Sequence, residues 1–279
     1  MDIDKKFEDS VKKTIKDYKL LNKNDRVLVA CSGGKDSTVV LYLLKKFGYN
    51  VEGLIVDLEI GEYSKTNLDN ITQFCRKQGI KLHKASFREE YGYSKCKIER
   101  ILKSKGSKLN SCTICGILRR YMLNKKSREL KFDKIVTGHN LDDEAQAIMM
   151  NFFRNTMHLQ SRLGPVSGNL KSEKFIPRVK PLYFCVEENI KKYSLSHKFP
   201  VLYERCPCIV DSYRNKVREI LNNLPDSIKV KRNIVNNFLM ILPNLKKHHR
   251  GHKLFFCIVC GEPTSEKICT TCKIIGKLK

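Results

Sequence analysis

The sequence predicts an α/β protein, a doubly wound parallel sheet with a small C-terminal zinc ribbon. Three observations carry this reading. Short apolar runs rich in β-branched residues, at 27–30, 51–58, 80–86 and 134–138, alternate with helix-periodic stretches, the pattern of parallel strands joined by crossover helices. The first run passes directly into Ser32-Gly33-Gly34-Lys35-Asp36-Ser37 and then into an apolar, helix-periodic segment at 38–47. Near the end of the chain, Cys257-Ile-Val-Cys260 and Cys269-Thr-Thr-Cys272 stand eight residues apart.

Taken in order, residues 1–23 form an N-terminal amphipathic helix, with Phe7, Val11, Ile15 and Tyr18 on one stripe. Residues 24–225 form the main α/β domain. A turn at 22–25 leads to the first strand. The second ends near Asp57, a helix at 64–77 closes at Gly79, and the third strand follows. After the fourth, Asn140-Leu-Asp-Asp-Glu opens a long helix through Phe153. In such sheets ligands bind at the C-terminal ends of the strands, where Ser32, Asp57 and His139 fall. Residues 155–177, with glycines and Pro165, read as a long exposed loop, and 187–195 and 212–224 as helices. From Asp226 the composition shifts: 11 Lys and Arg against 3 acids in the last 54 residues, an excess of 8. A boundary near 225 therefore precedes a basic linker, Lys246-Lys-His-His-Arg250, and a terminal cysteine module, together 226–279. There is no repeat at a fixed period.

Composition narrows the function. Lys and Arg total 54 against 29 acids, a formal excess of 25, and a field of that size points to a polyanion, most simply nucleic acid. The charged N-terminus lacks an apolar signal region, and the segment 234–245 is broken by asparagines and Pro243, so a cytoplasmic protein without a membrane partner is expected. Twelve cysteines in that compartment point to metal or redox chemistry before disulfides.

Strand, glycine turn and helix start together present backbone N–H groups and a positive helix end to phosphate. Gly33 and Gly34 let the backbone approach a ligand, and Ser32, Ser37 and Thr38 add hydroxyls. A Walker A loop needs a longer turn ending in Gly-Lys-[Ser/Thr]. Ser-Gly-Gly-Lys-Asp-Ser instead resembles the PP-loop of the ATP pyrophosphatase superfamily, with its adenine nucleotide alpha hydrolase-like fold, whose members adenylate a substrate and release pyrophosphate.

The cysteines divide into groups. Cys257, Cys260, Cys269 and Cys272 make a tetrahedral S₄ set suited to structural zinc, Gly261 sits where the knuckle turns, and the nearby His248, His249 and His252 read as basic surface. Cys112-Thr-Ile-Cys115-Gly116 has no second pair within ribbon distance. The remaining cluster is Cys206-Pro207-Cys208. A three-cysteine set with one open position suits an iron–sulfur centre; a redox-active pair is the other reading of the spacing. Cys75, Cys96 and Cys185 are expected to be buried structural thiols.

The order of PP-loop, CxxCG followed by a helix with Arg119, Arg120, Lys125, Lys126 and Arg128, then Gly-His-Asn-Leu-Asp-Asp-Glu, then Cys-Pro, resembles the TtuA/TtcA family of tRNA thiolation enzymes, nearest the 2-thiouridine branch. The match covers about residues 24 to 272. The resemblance implies a 4Fe-4S cluster on Cys112, Cys115 and Cys206, with Cys208 incidental or an alternative ligand. It implies ATP and Mg²⁺ held by Ser32, Gly33, Gly34, Lys35, Asp36 and Ser37. Asp57, Leu58 and Gly138 would line the adenosine pocket, with Asp142, Lys35 and Asp36 as catalytic residues. A plain helix-dipole carboxylate is the other reading of Asp142. The implied reaction adenylates a uridine O2 and replaces it with sulfur from free sulfide or a ubiquitin-like thiocarboxylated carrier, on tRNA, in a chain that can pair as a homodimer. Two departures stand out: no cysteine precedes Cys31, where that branch usually carries a zinc module, and Arg119 stands where the family often has a lysine. A tRNA cytidine thiolase or a lysidine-type synthetase shares the loop, although the latter has no need of Cys112, Cys115 and Cys206. A non-catalytic zinc RNA-binding protein is the reading from another class.

Overall fold

The computed structural model describes residues 3–168, 174–209, 213–249 and 255–278. The chain opens with α1 (Ile3–Asp17), β1 (Arg26–Cys31), α2 (Lys35–Lys46), β2 (Asn50–Asp57), α3 (Gly61–Lys77) and β3 (Leu82–Ser86). Then come α4 (Phe87–Tyr91), α5 (Lys95–Ser104), α6 (Ser111–Glu129), β4 (Lys134–Val136), α7 (Leu141–Phe153), α8 (Met157–Gln160), β5 (Val166–Ser167) and β6 (Arg178–Val179). The remainder is helical, α9 (Glu187–Ser196), α10 (Tyr213–Asn222) and α11 (Ser227–His248), ending in the hairpin β7 (Phe255–Phe256) and β8 (Pro263–Thr264) with α12 (Thr270–Gly276).

The central sheet has the order β3-β2-β1-β4-β6-β5, with β5 antiparallel and the rest parallel. The chain grows outward from β1 to β3 and then returns to β1's other side with β4. That reversal opens a crevice between the ends of β1 and β4. Strand alternation divides the core between two faces. Val27, Val29 and Cys31 face a cluster with α1, α2, α3 and α9, while Leu28 faces one built by α4, α5, α6 and α12. A third cluster joins α7, α10 and α11.

The fourth strand ends at Val136 rather than Gly138, although Thr137 N still donates to the Val179 carbonyl of β6 at 3.1 Å. The expected loop at 155–177 is partly ordered packing: it holds α8 and β5, and Gln160 and Ser161 are buried; residues 169–173 lie outside the described residues. So do Ser212 at the start of the expected helix, Arg250 at the end of the expected linker, and His252. The expected boundary near 225 falls just before α11, whose Val235, Phe238 and Leu242 share the cluster of α7 and α10. Residues 227–248 are thus continuous in packing with the residues before them. Cys96 corrects the expectation of burial. It is exposed, whereas Cys75 and Cys185 are buried.

Candidate functional site

The glycine-rich turn between β1 and α2 is held in shape by its own hydroxyls. Ser37 Oγ accepts from Ser32 N at 3.1 Å and donates to the Gly34 carbonyl at 3.1 Å, and Ser32 Oγ accepts from Gly34 N at 3.3 Å. Gly33 has φ +77°, and a Cβ there would meet Asn67 at 2.5 Å, so both backbone conformation and space demand glycine. Gly138 has the second constraint alone: a Cβ would lie 2.8 Å from Ser37 N. The end of β4 is therefore pressed against the start of α2. Gly34 also forms a parallel bridge with Leu202, which brings the segment leading to Cys206 alongside the loop.

Lys35 is tied back rather than free. Its Nζ contacts Asp36 Oδ2 at 3.0 Å and Glu187 Oε1 at 2.8 Å. Burial opposes its charge, but these two carboxylates more than offset it and the pKa is raised. Asp36 is raised, by burial first and by nearby Asp143, against the lowering pull of Lys35. Asn140 caps α7 through a reciprocal capping box with Asp143 and donates from Nδ2 to Asp36 Oδ1 at 3.0 Å. The helix start after β4 and the helix start after β1 are thereby bonded to each other.

Asp142 has a different position from the one expected of a reacting carboxylate. It is buried; Oδ2 accepts from Glu187 N at 2.8 Å and Oδ1 receives Lys231 Nζ at 2.7 Å. Both oxygens are engaged within the protein, so it braces α7, α9 and α11. The carboxylates bordering the loop are Asp36, Asp143 and Glu187. Asp57 ends β2 on the same sheet edge and accepts from Glu59 N at 2.8 Å, and the Leu58 carbonyl is taken by Lys95 N at 3.0 Å. Lys231 went unnoticed in the sequence, although a signal exists. It lies on the stripe Lys231, Val235, Phe238, Leu242 of α11, all buried, and a lysine on an apolar stripe requires a buried partner.

Cys112 and Cys115 occupy the first turn of α6, capped by Asn110, whose side chain accepts from Thr113 N at 2.8 Å. Cys206 lies close enough to Cys208 and Cys115 for both to raise its thiol pKa, after burial as the larger cause. Cys112, likewise raised by burial first, is influenced by Cys115, Lys95, Cys208 and Arg119. The two sequence segments therefore approach one another in a thiol-rich corner with Cys208 and Cys96, whereas the close-packed set of sulfurs among the described residues is the terminal one. Lys95, almost fully buried, stands at its edge: Nζ bonds Glu99 Oε2 at 2.7 Å and also Ser111, the residue before Cys112. Cys96 is out of phase with the buried stripe of α5, Lys95, Ile98 and Leu102, and that phase was the available sign of its exposure.

Cys257, Cys260, Cys269 and Cys272 have their sulfurs within 4.8 Å of one another, and Cys260 and Cys269 are 3.7 Å apart. A tetrahedral zinc with Zn–S of about 2.3 Å spaces its sulfurs by about 3.8 Å, so the donor set fits that ion. Burial raises the Cys257 thiol, but backbone N–H groups of Cys269, Cys260 and Val259 more than offset this and hold it down to about 6. The hairpin is docked rather than tethered: Ile274 and Leu278 enter the cluster of α6, and Arg128 and Asn124 of α6 bond Glu262.

Comparison with known proteins agrees with this geometry. A family model described as a PP-loop domain matches residues 3–224. The chain is 34% identical over 98% of its length to a tRNA-5-methyluridine(54) 2-sulfurtransferase from Pyrococcus horikoshii, covering 86% of that protein. It is 31% identical to the cytoplasmic tRNA 2-thiolation protein 1 of Caenorhabditis elegans, covering 98% of this chain and 73% of that one. Among solved structures, the U34-tRNA thiolase NcsA from Methanococcus maripaludis, with its [4Fe-4S] cluster, superposes with a TM-score of 0.81 at 29% identity, covering 99% of this chain and 88% of that one.

Proposed function

From the premise that this chain belongs to the PP-loop domain family, and within it to the tRNA thiolation enzymes, we propose that it is an ATP-dependent tRNA uridine 2-sulfurtransferase. The observation that carries the reading is the meeting of two half-sites. The glycine loop is bridged to Leu202, four residues before Cys206, and Cys206 lies within electrostatic reach of Cys115. This proximity supports placing a phosphate cradle and a set of thiols in one crevice.

The uridine 2-oxygen is a poor leaving group. In the proposed reaction it attacks the α-phosphorus of ATP, pyrophosphate departs, and the adenylated oxygen later leaves as AMP when sulfur takes its place. Backbone N–H groups of Gly33 and Gly34, with Ser32 and Ser37, hold the triphosphate at the start of α2. Lys35, pinned between Asp36 and Glu187, faces the charge that develops on pyrophosphate. Asp36 and Asp143 supply oxygen ligands of the kind Mg²⁺ uses. Asp142 acts through Glu187 and Lys231 as a positioning residue. Cys112, Cys115 and Cys206 would hold a 4Fe-4S cluster, which supplies an iron open to sulfide when bound. The uridine must leave its stack to reach this crevice. Zinc on the terminal cysteines is structural. The cytoplasm is the proposed compartment; among the described residues no helix is long and apolar enough to cross a membrane.

The test is anaerobic purification with iron, sulfide and zinc analysis of the wild type and Cys112→Ala, followed by assay with ATP, tRNA and either free sulfide or a thiocarboxylated carrier. About four irons per wild-type chain, their loss in the variant, and 2-thiouridine formed with stoichiometric AMP are expected. Iron-free protein that still thiolates tRNA overturns the cluster assignment, and thiolation without AMP release overturns the adenylation step.

A further inference from the structure

The five basic residues of α6 fall into two sets. Toward its C-terminal end, Lys125, Lys126 and Arg128 are bonded to Glu90, Glu129 and Glu262, so they are neutralised from within. One turn after Cys115, Arg119 and Arg120 have no carboxylate within ion-pair distance among the described residues. A third guanidinium joins them from the sheet. Arg178 on β6 donates from Nη2 to the Arg120 carbonyl at 2.9 Å, while its Nε is buried without a partner among the described residues. Gly116 gives Arg120 its place: a Cβ there would come 3.1 Å from Arg120 Nη1, so the guanidinium lies back along the helix toward Cys115.

These cations feel one another. Half-buried Arg178 is pulled down to about 10 by burial and then by the charge of Arg120, which is itself exposed on α6. Like charges crowded beside the half-buried Arg178 cost free energy until an anion arrives. The planar guanidinium fork matches the oxygens of a phosphate group.

Two sources could supply that phosphate, ATP or the RNA backbone, and the topology separates them. The glycine loop follows β1, whereas Arg178 lies on β6, two places away in the order β1-β4-β6, roughly 10 Å across the sheet at ~4.8 Å per strand. The helix that receives the ATP phosphates, α2, packs on one face, and α6 packs on the other. We infer that Arg120 and Arg178 form an anion site between α6 and β6 that takes a backbone phosphate of the bound RNA, beside the base presented to the thiol corner. The inference rests on the thiolation reading and adds to it the point where the strand is gripped.

The experiment uses the anaerobically purified full chain and measures two affinities separately: tRNA over a salt series without ATP, and ATP without tRNA. Arg120→Gln and Arg178→Met should each weaken tRNA binding about tenfold near 0.1 M salt and lower the slope of log K against log salt by about 1. ATP affinity should stay at the wild-type value, which also reports an intact fold. Arg178→Lys keeps the charge but loses the fork, so it should retain the slope and lose part of the affinity; it serves if Arg178→Met does not fold. Unchanged tRNA binding in these variants overturns the inference. So does a loss of ATP affinity with tRNA affinity intact, which would assign the site to the nucleotide. Wild-type protein without tRNA affinity would instead sink the functional reading itself.

Discussion

At the scale of single residues, the contrast between Asp142 and its neighbours shows how position in a network decides a carboxylate's work. Asp142 receives Lys231 Nζ on one oxygen and Glu187 N on the other, while Lys231 also reaches Asn222 Oδ1 at 2.6 Å. Removing one partner of a buried pair strands the other charge, at a cost of ~3–5 kcal/mol. Lys231→Met should lose about that much stability in urea unfolding, and Lys231→Met combined with Asp142→Asn should recover most of it, because no buried charge then remains. Additive losses in the double variant would show that the two side chains do not act as a pair. The six-residue glycine loop was legible because its determinants are contiguous. The role of Asp142 was not, since its partner lies 89 residues away on a helix the chain forms later.

Among elements, α5 and α6 set the thiol corner through one ionic knot. Burial raises the Glu99 carboxyl, but hydrogen bonds from Lys103, Lys95 and Ser111 more than offset it and bring it down to about 2. A carboxylate lowered in the folded state contributes stability that is complete above its unfolded value, about 4.3, and lost as pH falls toward 2. Acid unfolding of α6 should therefore steepen within that window, and Glu99→Gln should flatten it, as followed by circular dichroism from pH 5 to 2. An identical acid profile in the variant would remove Glu99 from the account. The alternation of strands and helices made the sheet readable from periodicity alone. The packing of α11 was less so, because its basic composition masked the stripe Val235, Phe238 and Leu242 that joins it to α7.

For the whole molecule, the zinc ribbon does more than cap the chain. Its cysteine spacing was plain in the sequence, but spacing carries no information about where the module docks. Docking is set by Ile274 and Leu278 against Leu118 and Met122, and by Glu262 against Arg128 and Asn124. The helix that begins with Cys112 and Cys115 is therefore held at its far end by the cysteine module for which a structural zinc is proposed. The glycine loop, on the opposite face of the sheet in its packing, has no such dependence. Stripping zinc with a strong chelator should raise amide hydrogen exchange along 118–128 and in the hairpin, while exchange at 32–44 stays unchanged. ATP affinity should survive chelation while tRNA affinity falls, because α6 carries Arg120 of the inferred RNA-phosphate site. Equal loss of protection in both regions would mean that the ribbon stabilises the molecule globally, and the division of labour argued from the two faces of the sheet would fail.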